Sequence, residues 1–81
     1  MKAKRTPEEE IFLKKLGENI IAYRTESNIK AKDVYEKIDM DRSNYRRIEA
    51  GRTNPTILLL RKISITLEIP LEQLINMKEK S

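Results

Sequence analysis

Apolar positions along this chain recur at helical spacing. Phe12, Leu13, Leu16, Ile20 and Tyr23 fall three and four apart, the stripe of an amphipathic helix. Thr6, Pro7 and Glu9 mark its start: Thr6 caps, Pro7 takes the first helical position, and Glu9 completes a capping box. This helix is predicted to run to residue 27. Gly17 inside it costs about 1 kcal/mol against Ala, which a close approach by another helix would explain. After the break at 28–30, a second helix is predicted over 31–38 with Val34, Tyr35 and Ile38 inward. Asp39 stops it, because Asp tolerates a left-handed turn, and Met40 is expected to tuck between helices. Asp41 caps a third helix over 42–50, which Gly51 ends. The loop 52–55 leads to Thr56, the cap of a fourth helix over 57–67 with Ile57, Leu60, Ile63 and Leu67 as its core stripe. Pro70 opens a short fifth helix to residue 76. No strand, repeat or low-complexity pattern is present. The expectation is an all-α, compact five-helix domain over 6–76, between a basic arm, 1–5, and a charged tail, 77–81.

Composition narrows the class. The chain has 81 residues, room for one domain, and a domain this small buries only about 60% of its unfolded surface. Apolar residues make up 38%, below the usual fraction of about 45–50%, so the core is thin and self-association would help it. Charged residues make up 37% with a net charge of +4, a balance that suits a polyanionic partner. Cysteine and histidine are absent, which excludes zinc sites and Ser-His or Cys-His catalysis. A secreted domain of this size usually needs disulfides or a metal, so a cytoplasmic location is expected. No apolar run suits a membrane span, and the basic start has no apolar stretch behind it, unlike a signal peptide. The acids Glu8, Glu9 and Glu10 sit in the first turn of a helix, where they favour its dipole. Neither an enzyme nor a cofactor is expected.

The second and third helices are separated by three or four residues. That is helix-turn-helix spacing, in which the later helix can enter the major groove of DNA. On a wheel of about 100° per residue, Tyr45 and Ile48 share one side of the third helix. Arg42, Ser43, Arg46, Arg47 and Ala50 occupy the opposite half, with Asn44 and Glu49 at the borders. Arginine can donate two parallel bonds to guanine and also neutralises phosphate. Ser43 can reach either kind of acceptor, and Asn44 can pair with adenine. The bland alternative is a solvated helix face.

Residues 16–75 resemble the Cro/phage-repressor-like, or XRE-type, helix-turn-helix family. The likeness is carried by Leu16-Gly17-Glu18-Asn19-Ile20, Arg24, Asp41-Arg42-Ser43-Asn44-Tyr45, the run from Arg47 through Ile48-Glu49-Ala50-Gly51-Arg52-Thr53-Asn54-Pro55 to Thr56, and Ile69-Pro70-Leu71-Glu72-Gln73-Leu74. The resemblance implies a five-helix bundle that binds double-stranded DNA, usually as a homodimer on a two-fold symmetric operator, and regulates transcription. It implies that Arg42, Ser43, Asn44 and Arg47 face base edges. It places Arg52 and Asn54 at the phosphate backbone, where Lys30, Arg46 and Thr53 are further candidates. It assigns Arg24 and Glu49 to a structural salt bridge. Departures fall at the start of the second helix, where Lys30 and Ala31 replace a polar cap and Gln, at Tyr35 in place of a small residue, and at Asp39 in place of Gly. The Tyr35 ring must either displace packing or point outward beside the DNA.

The fourth helix carries more apolar residues than one core stripe uses. Leu58, Leu59 and Ile65, with Leu71, Leu74 and Ile75 after them, are candidates for a dimer interface. Coverage by the first and fifth helices is the alternative. The arm residues Lys2, Lys4 and Arg5 are candidates for added phosphate contacts or minor-groove insertion. The regulatory reading spans phage-type repressors, restriction-modification controllers and antitoxins. A protein-interaction module on the same fold is the competing function.

Overall fold

Four of the five helices begin with a hydrogen bond between a side chain and the backbone of the first turn, and these closures set where the chain turns. The computed structural model describes residues 4–78, so Lys2 of the arm and residues 79–81 of the tail lie outside it. The first helix, α1, spans Pro7–Glu26. Thr6 Oγ1 accepts from the Glu9 N–H at 3.1 Å, and the Glu9 carboxylate accepts from the Thr6 N–H at 2.8 Å. Helix α2 spans Ala31–Lys37, and the Asp33 carboxylate accepts from the Lys30 N–H at its start. Helix α3 spans Arg42–Glu49 with Asp41 as its cap, and α4 spans Ile57–Leu67 with Thr56 as its cap. Helix α5 is the single turn Leu71–Leu74 after Pro70.

The helix ends share one device. Asn28, Asp39, Gly51 and Glu68 all adopt positive φ, between 56° and 73°. In each case the next N–H reaches back to a carbonyl of the last turn: Ile29 to Arg24, Met40 to Tyr35, Arg52 to Arg47, and Ile69 to Ser64. The Asp39 turn was legible in the sequence. Glu68 was not, because Glu carries no preference for a left-handed conformation.

The core draws on every helix. Leu13, Leu16 and Ile20 come from α1, Val34 from α2, Tyr45 and Ile48 from α3, Leu60, Ile63 and Leu67 from α4, and Leu74 from α5. Ile38, the cap residue after α2, completes it. Helix α1 packs on α3 and α5, α2 packs on α3 and α4, and α4 packs on α5. Met40 is partly buried against this core. Tyr35 is half-buried, its ring 6.0 Å from that of Tyr45 at an angle of 49°, so it packs into the α2–α3 crossing. All regular structure among the described residues is helical, and none of their helices is long and apolar enough to cross a membrane.

Several expectations are corrected. Phe12 is 42% exposed and Ile57 is 60% exposed, so neither is a core residue. The inward face of α1 is centred on Leu13, Leu16, Gly17 and Ile20, about 100° from Phe12. Ile57 lies in the first turn of α4, ahead of the buried stripe that starts at Leu60. Leu74, expected at a dimer interface, is fully enclosed in its own protomer's core. Helices α1, α2 and α3 each stop one residue short of the predicted end, because Ser27, Ile38 and Ala50 serve as caps. Helix α5 stops at Leu74 instead of residue 76. There the Asn19 side-chain amide donates to the carbonyls of Leu74 and Asn76, both at 2.9 Å, and holds them in a non-helical course.

Gly17 marks a close crossing of α1 over the end of α3. A Cβ there would overlap the Glu49 carbonyl oxygen and lie 2.8 Å from that of Ile48. Helix propensity alone favours Gly17→Ala by about 1 kcal/mol. Overlap with backbone atoms opposes it, at about 1–3 kcal/mol for overpacking and more where no side chain can yield. We expect Gly17→Ala to lower the melting temperature followed by circular dichroism. A raised value would show that the crossing is looser than its geometry.

Candidate nucleic-acid interface

Helix α3 has eight residues, too few to persist alone in water, so its surroundings must hold it. Tyr45 and Ile48 anchor its inner side in the core. Arg42, Ser43, Asn44, Arg46 and Arg47 are all exposed on the other side. Arg42 and Arg46 form one i,i+4 ridge, and Ser43 and Arg47 form the next. Asp41, the acid nearest the start of the face, is engaged as the cap through the Asn44 N–H.

Glu49 is the only acid within α3, and its carboxylate is held by Arg24 of α1. Its carboxylate accepts two bonds from Arg24, Nε to Oε2 at 2.7 Å and Nη2 to Oε1 at 3.1 Å. The Tyr45 hydroxyl donates to the same carboxylate at 2.5 Å. Arg24 also donates to the Ile29 carbonyl at 3.3 Å, in the turn before α2. Both charged side chains are largely buried, with 16% and 10% exposed. The bond to Glu49 raises the Arg24 pKa further above its usual value, against the opposing effect of burial. Burial, followed by the bond to Glu49, raises the Tyr45 phenol well above its ordinary value, so it stays protonated and donating at physiological pH.

The remaining candidates border this face. Lys30 is exposed at the start of α2, and Ala31 behind it is half-buried. Arg52 and Asn54 are exposed in the loop after α3, while Thr53 is half-buried. A cleft between α1 and α3 is lined by Ile21, Arg46, Arg47, Glu49, Ala50 and Arg52. Among the described residues, Arg42, Arg46, Arg47 and Arg52 enter no ion pair; the ion pairs there are Arg24–Glu49 and Lys32–Glu36. The surface therefore carries a concentrated positive charge, and Glu49, the acid that lines the cleft, is already bound to Arg24.

Three contacts escaped the sequence reading. The Tyr45–Glu49 bond has a readable signal, since the two are four apart on one helix. The Asn19 clamp on α5 and a bond from Arg5 to the Arg52 carbonyl join residues 55 and 47 positions apart, beyond any local pattern.

A short helix with an unneutralised arginine face, buried along its other side and joined to the preceding helix by residues 38–41, defines the helix-turn-helix class of DNA-binding proteins. The chain belongs to the helix-turn-helix family, whose model matches residues 20–74. Two solved structures share the fold. One is the restriction-modification controller protein C.AhdI from Aeromonas hydrophila, with a TM-score of 0.73 and 24% identity over 76% of this chain and 94% of that one. The other is a hypothetical transcription factor, NHTF, from Neisseria, with a TM-score of 0.76 and 18% identity over 94% of this chain and 87% of that one. No curated protein matches the sequence.

Glu49→Ala leaves Arg24 without its carboxylate and the enclosed Tyr45 hydroxyl without an acceptor. Breaking such a pair costs about 3–5 kcal/mol when fully buried, and the residual exposure here points to the lower end. At about 4–8 °C per kcal/mol for a domain of this size, the melting temperature should fall by more than about 10 °C. A value equal to wild type would remove the pair from its structural role.

Proposed function

We propose that this protein is a sequence-specific transcription regulator that binds a two-fold symmetric operator as a homodimer, with α3 in the major groove. The observation that carries the reading is the exposed arginine face of α3, whose arginines enter no ion pair among the described residues. In this reading Arg42, Ser43, Asn44 and Arg47 contact base edges, and Lys30, Arg46, Arg52, Thr53 and Asn54 contact the phosphate backbone. Position along α3 supports the base assignment, because Arg42, Ser43 and Asn44 open the helix, where a recognition helix meets base edges, and Arg47 continues the Ser43 ridge. Membership of the helix-turn-helix family supports a regulator over an enzyme. Selection of bound sites from random duplex DNA tests the assignment. Arg42→Ala and Arg47→Ala should each weaken binding by about 1–3 kcal/mol and relax one position of the site. Unchanged affinity and preference in both variants would defeat it.

The second copy in this proposal covers the outer face of α4. Leu58 and Ile65, seven apart, are 70% and 57% exposed, and Leu59, Leu71 and Ile75 are half-buried beside the core. Large apolar side chains exposed together on one helix usually mark an interface. A dimer of this kind sets two recognition helices about 34 Å apart, one turn of DNA. Light scattering at micromolar concentration should give twice the protomer mass, and Leu58→Glu should return the protomer. A wild-type monomer that remains monomeric on DNA would refute the homodimer.

A further inference from the structure

The arginine surface continues past the end of α3. Ala50 and Arg52, which line the cleft beside Arg46 and Arg47, also line a second shallow groove that reaches the start of α1. Arg5, Glu10 and Lys14 complete its charged lining. Two constraints build this groove. Gly51, at φ +73°, brings the exit of α3 against α1, where a Cβ would sit 2.6 Å from the Lys14 Cα. Arg5 Nη2 donates to the Arg52 carbonyl at 3.1 Å, across 47 positions of sequence. Arg5, Lys14 and Arg52 are exposed and enter no ion pair among the described residues. Three positive charges therefore face one acid, Glu10, in a groove continuous with the arginine face. One donor of Arg5 holds its position, and a guanidinium has four more to offer.

We infer that this groove is a phosphate-contacting extension of the DNA interface, in which Arg5 and Lys14 hold the duplex backbone beyond the C-terminal end of α3. The inference rests on the DNA-binding reading of that helix. Contacts of this type add affinity and fix register without reading sequence. The bond to the Arg52 carbonyl places Arg5 before DNA arrives, which lowers the ordering cost of the contact.

The test is the salt dependence of binding to a duplex oligonucleotide carrying the selected site. Each phosphate contact contributes about 0.9 to the slope of log K against log salt. Arg5→Gln and Lys14→Gln should each flatten the slope by about one unit per bound protomer, and the double variant by about two. The preferred site should stay the same, and Arg5→Lys should restore most of the slope. Lys15→Gln removes the same charge from the same helix, but Lys15 lines a groove with Gln73 and Asn76, so its slope should match wild type. Arg5 precedes α1 and is exposed, so Arg5→Gln alone keeps the test valid if the double variant folds poorly. An unchanged slope in the Arg5 and Lys14 variants, or an equal loss in Lys15→Gln, would overturn the inference and leave the reading of α3 intact. Wild-type protein without salt-dependent DNA binding would overturn both.

Discussion

The seam between α1 and the end of α3 is where the fold meets the arginine face. Gly17 lets the Glu49 backbone approach α1 so closely that no Cβ fits between them. The Glu49 side chain then takes two bonds from Arg24 and one from Tyr45, while Arg24 reaches on to the Ile29 carbonyl. One carboxylate thus ties together the longest helix, the turn before α2, and the short helix that presents the arginines. A charge pair so largely withdrawn from water is tolerable only when its geometry and hydrogen bonds are complete. The arrangement therefore specifies orientation more than it adds stability. It also engages the only acid of α3, whose arginines enter no ion pair among the described residues.

The rest of the fold serves the same orientation. The four left-handed turns at Asn28, Asp39, Gly51 and Glu68 change the chain direction within a residue or two. Short closures leave little freedom between helices, so the position of α3 follows from the core beneath it. Tyr45 has two roles here, filling the space under α3 with its ring and bonding Glu49 with its hydroxyl. Tyr35 packs against that ring, which explains how a bulky residue is accommodated at the α2–α3 crossing. Gly51 performs the same service as Gly17 on the other side of the seam, admitting Lys14 of α1.

A small core leaves apolar residues at the surface, and their distribution is uneven. Leu58 and Ile65 share the outer side of α4, whereas Ile11 and Phe12 lie on α1. The positive surface runs over α3, its following loop and the start of α1. In the proposed function, self-association on α4 would draw on apolar burial and DNA contact around α3 on charge, different forces on different elements. Salt weakens the second far more than the first.

The five helices, the caps at Thr6, Asp41 and Thr56 and the arginine face were legible in the sequence, because each depends on residues within one or two turns. Thr6, Asp41 and Thr56 cap where their position before an apolar stripe predicts, and Asp39 turns where it should. The Arg24–Glu49 pairing entered through family resemblance, since nothing local links two residues 25 apart. Tertiary structure alone decided which apolar residues are core. Phe12 and Ile57 fit the helical period yet face solvent, while Leu74 fits an exposed interface yet is enclosed. A stripe defines an apolar side of a helix, but its centre depends on where the neighbouring helix crosses. At α1 that centre is set by Gly17, and at α5 the Asn19 amide ends the helix by holding carbonyls from across the bundle. Arg5 reaches the groove beside α3 for the same reason, because only the folded chain brings it to the Arg52 carbonyl.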